Sequence, residues 1–94
     1  MAETAKAPQL DFNAFVLSLG SSALIHLGVA PDPLTQKKQA PDLALAQQSI
    51  DLLALLQEKT RGNLTAEEAP LLQNLLFDLR MRYVEVARQA AAKK

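Results

Sequence analysis

Three stretches of the chain repeat their apolar residues at the spacing of an α-helix, and none alternates as a strand would. In the first, Phe12, Phe15, Val16, Leu19, Ala23 and Leu27 share one broad face of a helical wheel. Leu17 and Leu24 lie together outside that face, and Ile25 lies on yet another side. A helix apolar nearly all round is buried on more than one side. Its middle, Gly20 to Ala23, is small, which admits a close neighbour and weakens isolated helicity. In the second stretch Leu45, Leu52 and Leu56 line one flank of an apolar arc, and Leu43, Ala46, Ile50 and Leu53 line the other. The arc covers about half the wheel, wider than a two-helix seam needs. Gln47, Gln48, Asp51, Glu58 and Lys59 fill the polar side, which Leu55 interrupts. In the third, Leu71, Leu72, Leu75, Leu76, Leu79, Tyr83, Val86, Ala87 and Ala90 make the main apolar face. Phe77, Met81 and Val84, spaced four and three, make a smaller one.

Local signals set the ends of these elements. Asp11 suits an N-cap, and Gly28 a stop. Pro31 and Pro33 exclude a helix between residues 29 and 40, and Pro41 with Asp42 suits a new first turn. The most specific stretch is Lys59 to Thr65. Lys59 and Arg61 bring positive charge to the negative end of a helix, and Gly62 supplies the left-handed conformation that ends it. Thr65 with Glu68 forms a capping box for the next helix, and Leu64 precedes the cap. Gly62, Asn63, Thr65 and Glu68 are therefore a structural joint, short enough to fold its two helices back as an antiparallel hairpin. Pro70 conflicts with a regular first turn, and predicts either an irregularity or a helix that becomes regular only after it.

The pattern thus predicts an all-α domain over residues 11–90, with helices at about 11–27, 41–60 and 66–90. Helix 1 packs across the hairpin of helices 2 and 3. A disordered tail at 1–10 and a frayed basic tail at 91–94 flank the domain.

Composition narrows the chemistry. Ninety-four residues make one domain at most, and an apolar fraction of 49% with four aromatics makes any core aliphatic. Ten Lys and Arg balance ten Asp and Glu, so the whole chain carries no bias toward a polyanion. The absence of cysteine removes disulfides and thiolate zinc sites and suits an expected cytoplasmic home. No signal peptide is visible in Met1 to Gln9. Phe12 to Ala30 is the one candidate for a membrane span. Asn13, Ser18, Ser21, Ser22, His26 and two glycines interrupt it and no basic flank orients it, so it reads as a buried helix.

The residues capable of chemistry do not assemble into a site. His26 is the only histidine, with no second ligand at metal spacing, and reads as a core or interface side chain rather than a base, a metal ligand or a pH switch. Ser18, Ser21 and Ser22 lack a nucleophile elbow and read as helix spacers. Asp51, Asp78 and Glu85 read as solvated helix faces. Arg80, Arg82, Arg88, Lys93 and Lys94 give the C-terminal end a local positive excess, but Arg80 and Arg82 do not share a face and no aromatics are interleaved for base stacking. Gly62 and Asn63 do not form a phosphate loop. The expectation is no catalytic, cofactor-binding or metal site, and therefore no enzyme.

The apolar surplus points elsewhere. A chain this short buries a modest share of its surface alone, and large exposed apolar patches are uncommon on monomers. Self-association about a two-fold axis, with helix 1 near the axis, is the simplest outlet. The candidate interface is Phe12, Phe15, Val16, Leu19, Ala23, His26 and Leu27 of helix 1 with Phe77, Met81 and Val84 of helix 3.

The order of residues resembles a family of short bacterial proteins catalogued as domain of unknown function number 1844. The resemblance rests on Phe15 to Leu19, Ser22 to Gly28, Pro31 to Pro33, then Ala46, Ile50, Asp51 and Leu53. The joint from Lys59 to Thr65 with Glu68 is its most specific piece, and Leu79 with Arg80 closes it. It spans roughly Phe12 to Val84, with Pro70 the least typical position, and implies a small bacterial all-helical domain without an assigned activity. The expected role is a non-catalytic, oligomeric interaction or structural protein, or an accessory subunit bound to a larger protein partner. A small apolar-ligand binder with a pocket between helices, lined by leucines, Phe15 and His26, is the alternative. Nucleic-acid or membrane-surface binding through the basic C-terminal end comes third.

Overall fold

The computed structural model describes residues 11–92, so the expected tail at 1–10 and the last two lysines lie outside the described residues. Among the described residues there are three helices and no strand: α1 (Phe12–His26), α2 (Leu43–Lys59) and α3 (Glu68–Ala92). Each packs on the other two, which makes the all-α bundle that the spacing predicts.

Asp11 caps α1, its carboxylate accepting from the Ala14 N–H at 2.8 Å. α1 ends in a Schellman arrangement: the Val29 N–H donates to the Leu24 carbonyl and the Gly28 N–H to that of Ile25, with Gly28 at φ +78°. The loop that follows is structured by its own acids and hydroxyls. Asp32 accepts from the Leu34 N–H at 2.8 Å through its side chain and from the Gln36 N–H at 2.6 Å through its carbonyl. The Asp42 N–H closes the loop on the His26 carbonyl at 2.7 Å. Pro41, expected in the first turn of α2, instead precedes the cap. Asp42 takes the cap position in extended backbone, and its carboxylate accepts from the Leu45 N–H at 3.1 Å.

The joint follows its sequence closely. Gly62 is at φ +85°, and the Asn63 N–H donates to the Thr60 carbonyl at 2.8 Å. The Glu68 N–H donates to Thr65 Oγ1 at 3.1 Å, and the Thr65 N–H donates to Glu68 Oε1 at 2.9 Å, which is the full capping box. Pro70 has no N–H to offer the carbonyl of Ala66. The regular helix accordingly begins at Glu68 rather than Ala66, although the Ala69 N–H already reaches the Thr65 carbonyl at 3.1 Å. At its other end α3 runs through Ala91 and Ala92, which were expected to fray.

A Cβ at Gly62 would meet nothing within 4 Å, so only the backbone conformation resists substitution there. Gly62→Ala should lower stability by about 1 kcal/mol, read as a small fall in the urea midpoint. A neutral result would mean that the joint relaxes out of the left-handed conformation.

The core has two clusters. The main one joins Val16 and Ala23 of α1, Ile50 and Leu53 of α2, and Leu72, Leu76 and Leu79 of α3. The smaller joins Leu27, Ala46 and Val86, and Tyr83 packs against both. Gly20 lets α3 come close: a Cβ there would lie 2.9 Å from a Leu75 methyl. The described chain is only 17 Å across its thinnest dimension, so every helix keeps a face toward solvent.

Candidate interaction surface

Folding divides the expected interface residues into three groups, buried, half-buried and exposed. Val16, Ala23 and Leu27 are closed inside the chain's own core and are not available to a second chain, which corrects their assignment to an interface. The apolar face they share is the one α1 turns toward α2 and α3. Phe12 and Leu19 are half-buried against the main cluster. Phe15, Phe77, Met81 and Val84 remain exposed.

His26, the last residue of α1, is half-buried, and its Nδ1 is buried without a hydrogen-bond partner. Its carbonyl rather than its ring ties the loop to α1. Among the described residues no group of three or more His, Cys, Asp or Glu side chains could hold a metal ion. Ser18 and Ser21 face solvent and Ser22 is half-buried. Arg82 pairs with Asp78 at 2.9 Å, and Arg88 lies 4.0 Å from Glu85. Asp51 accepts from Gln47 at 2.8 Å. All of these are exposed pairs along one helix, which contribute little to stability. No helix among the described residues is long and apolar enough to cross a membrane.

Two apolar regions stay open on the single chain. The first is a groove of about 360 Å³ between α1 and α2, lined by Phe15, Leu19, Leu52, Leu55, Leu56 and Lys59. Lys59 is the one charged residue in that lining. The groove lies outside the core cluster to which α1 contributes Val16 and α2 contributes Leu53. Leu45, Leu52 and Leu55 were not among the expected interface residues, yet all three are exposed. The signal was in the chain: the α2 arc is wider than one seam, and Leu55 breaks its polar side. The second region is the α3 strip of Phe77, Met81 and Val84, on the side of the helix opposite its buried residues. A more polar hollow of about 430 Å³ beside the joint is lined by Gln57, Arg61, Gly62, Leu64, Ala69 and Gln73. The joint residues otherwise serve the turn and the cap.

These features define a small three-helix bundle whose described surface is marked by apolar strips. A family model described as "Domain of unknown function (DUF1844)" matches residues 9–85, and the chain belongs to that family. The expected membership, over roughly Phe12 to Val84, is thereby borne out. No curated protein and no solved structure matches the chain.

Proposed function

We propose that this chain is a non-catalytic interaction subunit that works as a homo-oligomer and, in that form, serves a larger assembly. The observation that carries the proposal is the amount of large apolar side chain left outside a completed core. Phe15, Leu52 and Leu55 lie on the α1–α2 flank, and Phe77, Met81 and Val84 on α3. The bundle is already closed by Val16, Leu53, Leu72, Leu76 and Leu79, while Phe15, Leu52, Leu55 and the α3 strip still leave 41–67% of their surface open. They are unfavourable in water, and covering them in a complex is the physical reason to hold them there.

Sedimentation equilibrium across the micromolar range is the direct test. The expected result is a weight-average mass that rises above 10.2 kDa with concentration. A monomer throughout would remove the oligomer from the proposal.

A second reading, binding of a small apolar molecule, is favoured by the groove alone, since its lining is leucine and phenylalanine with one lysine. Native mass spectrometry of the purified chain separates the two. A retained ligand adds a discrete mass to the chain, and Leu55→Glu in the groove wall removes it. An oligomer without added mass supports the interaction subunit.

A further inference from the structure

We propose that two copies of the chain pair through α3 in parallel and in register, with Phe77, Met81 and Val84 as the seam and Arg80 of each copy against Glu85 of the other. The inference rests on the homo-oligomer proposed above and names its surface and its geometry. Helix α3 carries two opposite stripes. Leu72, Leu76, Leu79 and Val86 enter the chain's own core. Asn74, Phe77, Met81 and Val84, spaced three, four and three, lie on the other side. That spacing is a two-helix seam of alternating a and d positions, with Asn74 and Met81 at a and Phe77 and Val84 at d. Its apolar members are exposed to 67%, 58% and 51% for Phe77, Met81 and Val84, although they sit in the middle of a continuous helix.

Charge beside the seam selects the orientation. Asp78 and Glu85 fall at e, on one flank, and Arg80 falls at g, on the other. In a parallel pair a g residue meets the e residue five positions further along the partner, so Arg80 meets Glu85, twice by symmetry. In an antiparallel pair e meets e, and Asp78 would face Glu85, acid against acid. Arg80 makes no ion pair among the described residues, whereas Asp78 holds Arg82 at 2.9 Å, and Glu85 accepts a hydrogen bond from the Gln89 amide at 3.3 Å and has its nearest cation, Arg88, at 4.0 Å. Arg80 and Glu85 are five apart and cannot pair along their own helix. Asn74 at an a position meets its own copy in the parallel register, a device that fixes register at some loss of stability. Arg88, at the next a position, ends the seam. So short a contact covers less than the about 800 Å² per partner of a standard interface, which places the pairing in a concentration-dependent range.

The experiment compares self-association of the full chain by sedimentation equilibrium for wild type, Arg80→Glu, Glu85→Arg and the double swap. Both positions are exposed, and circular dichroism checks that each variant keeps its helices. Arg80→Glu and Glu85→Arg should each raise the dimer dissociation constant about tenfold or more, and the double swap should return it to within about threefold of wild type. Tighter association of Glu85→Arg alone would overturn the parallel register, because that change relieves the acid-on-acid contact of the antiparallel one. A wild-type oligomer indifferent to all three variants would overturn the α3 seam and leave the oligomer itself standing. A wild-type monomer up to the highest concentration would bring down both.

Discussion

Leu53→Ala should destabilise the chain by about 2–5 kcal/mol, read as a large fall in the urea midpoint. Leu53 is fully buried, with 0% of its surface exposed, and its cluster draws from all three helices. Truncation removes three carbons from the point where the bundle closes and opens a void that backbones held by close packing refill only in part. A domain of this size has a total stability of about 4–12 kcal/mol at the usual 0.05–0.15 kcal/mol per residue, so the loss takes a large share of it. Leu52→Ala is the matched control. Leu52 is its immediate neighbour and the same residue type, but 47% exposed on the groove side, and its truncation should lower stability by less than about 1 kcal/mol. Urea unfolding followed by helical circular dichroism, at one fixed protein concentration, measures both. Equal losses at the two positions would mean that α2 is rotated from the orientation described.

Gly28→Ala should be the second severe change, at about 2–4 kcal/mol, or a fall in melting temperature on the order of 10 °C or more. Two independent causes add here. The residue is at φ +78°, where an L side chain is strained, and a Cβ would stand 2.7 Å from the Gln39 carbonyl oxygen and 3.3 Å from Pro41. The first obstacle is backbone, so no side-chain rotation relieves it. Moving Gln39 pulls on the Asp42 N–H that closes the loop on His26, and with it on the cap of α2. Gly62→Ala shares the first cause without the second, and the difference between the two melting temperatures isolates the clash. A Gly28→Ala chain no less stable than Gly62→Ala would mean that the loop from Val29 to Pro41 does not lie against the end of α1.

The bundle was legible in the chain because its signals are local. Asp11, Thr65 with Glu68, and Gly62 each act within one turn, so the residues that cap or stop a helix lie beside the ends they define. Pro41 misled because proline suits a first turn and a position before the cap equally well. The neighbouring Asp42 decided between them by capping. The surface was less legible. Val16 and Phe15 are adjacent and both belong to the broad apolar face of α1, yet one is sealed in the core and the other opens on the groove. Periodicity reports that a face is apolar, but which part of that face meets a neighbour depends on how α2 and α3 cross it. Leu52 lies at the edge of an arc whose centre is buried, and Leu55 beyond that edge on the polar side, so periodicity did not show that the two would open on one groove. The α3 strip fared better. It lies on the side of α3 away from the buried residues, so spacing was enough to isolate it.

Tyr83 leans on both core clusters at once, and it is the only tyrosine in a chain without tryptophan. Its ring is therefore the sole source of intrinsic phenol fluorescence, and it is seated at the border between the two halves of the interior. A thermal melt recorded through that emission follows the border, while circular dichroism follows the helices as a whole. Coincident curves would mean that the two clusters come apart together. An earlier emission change would mean that the packing at this border loosens before the helices melt, so the chain carries its own optical probe of whether its core is one cooperative unit or two.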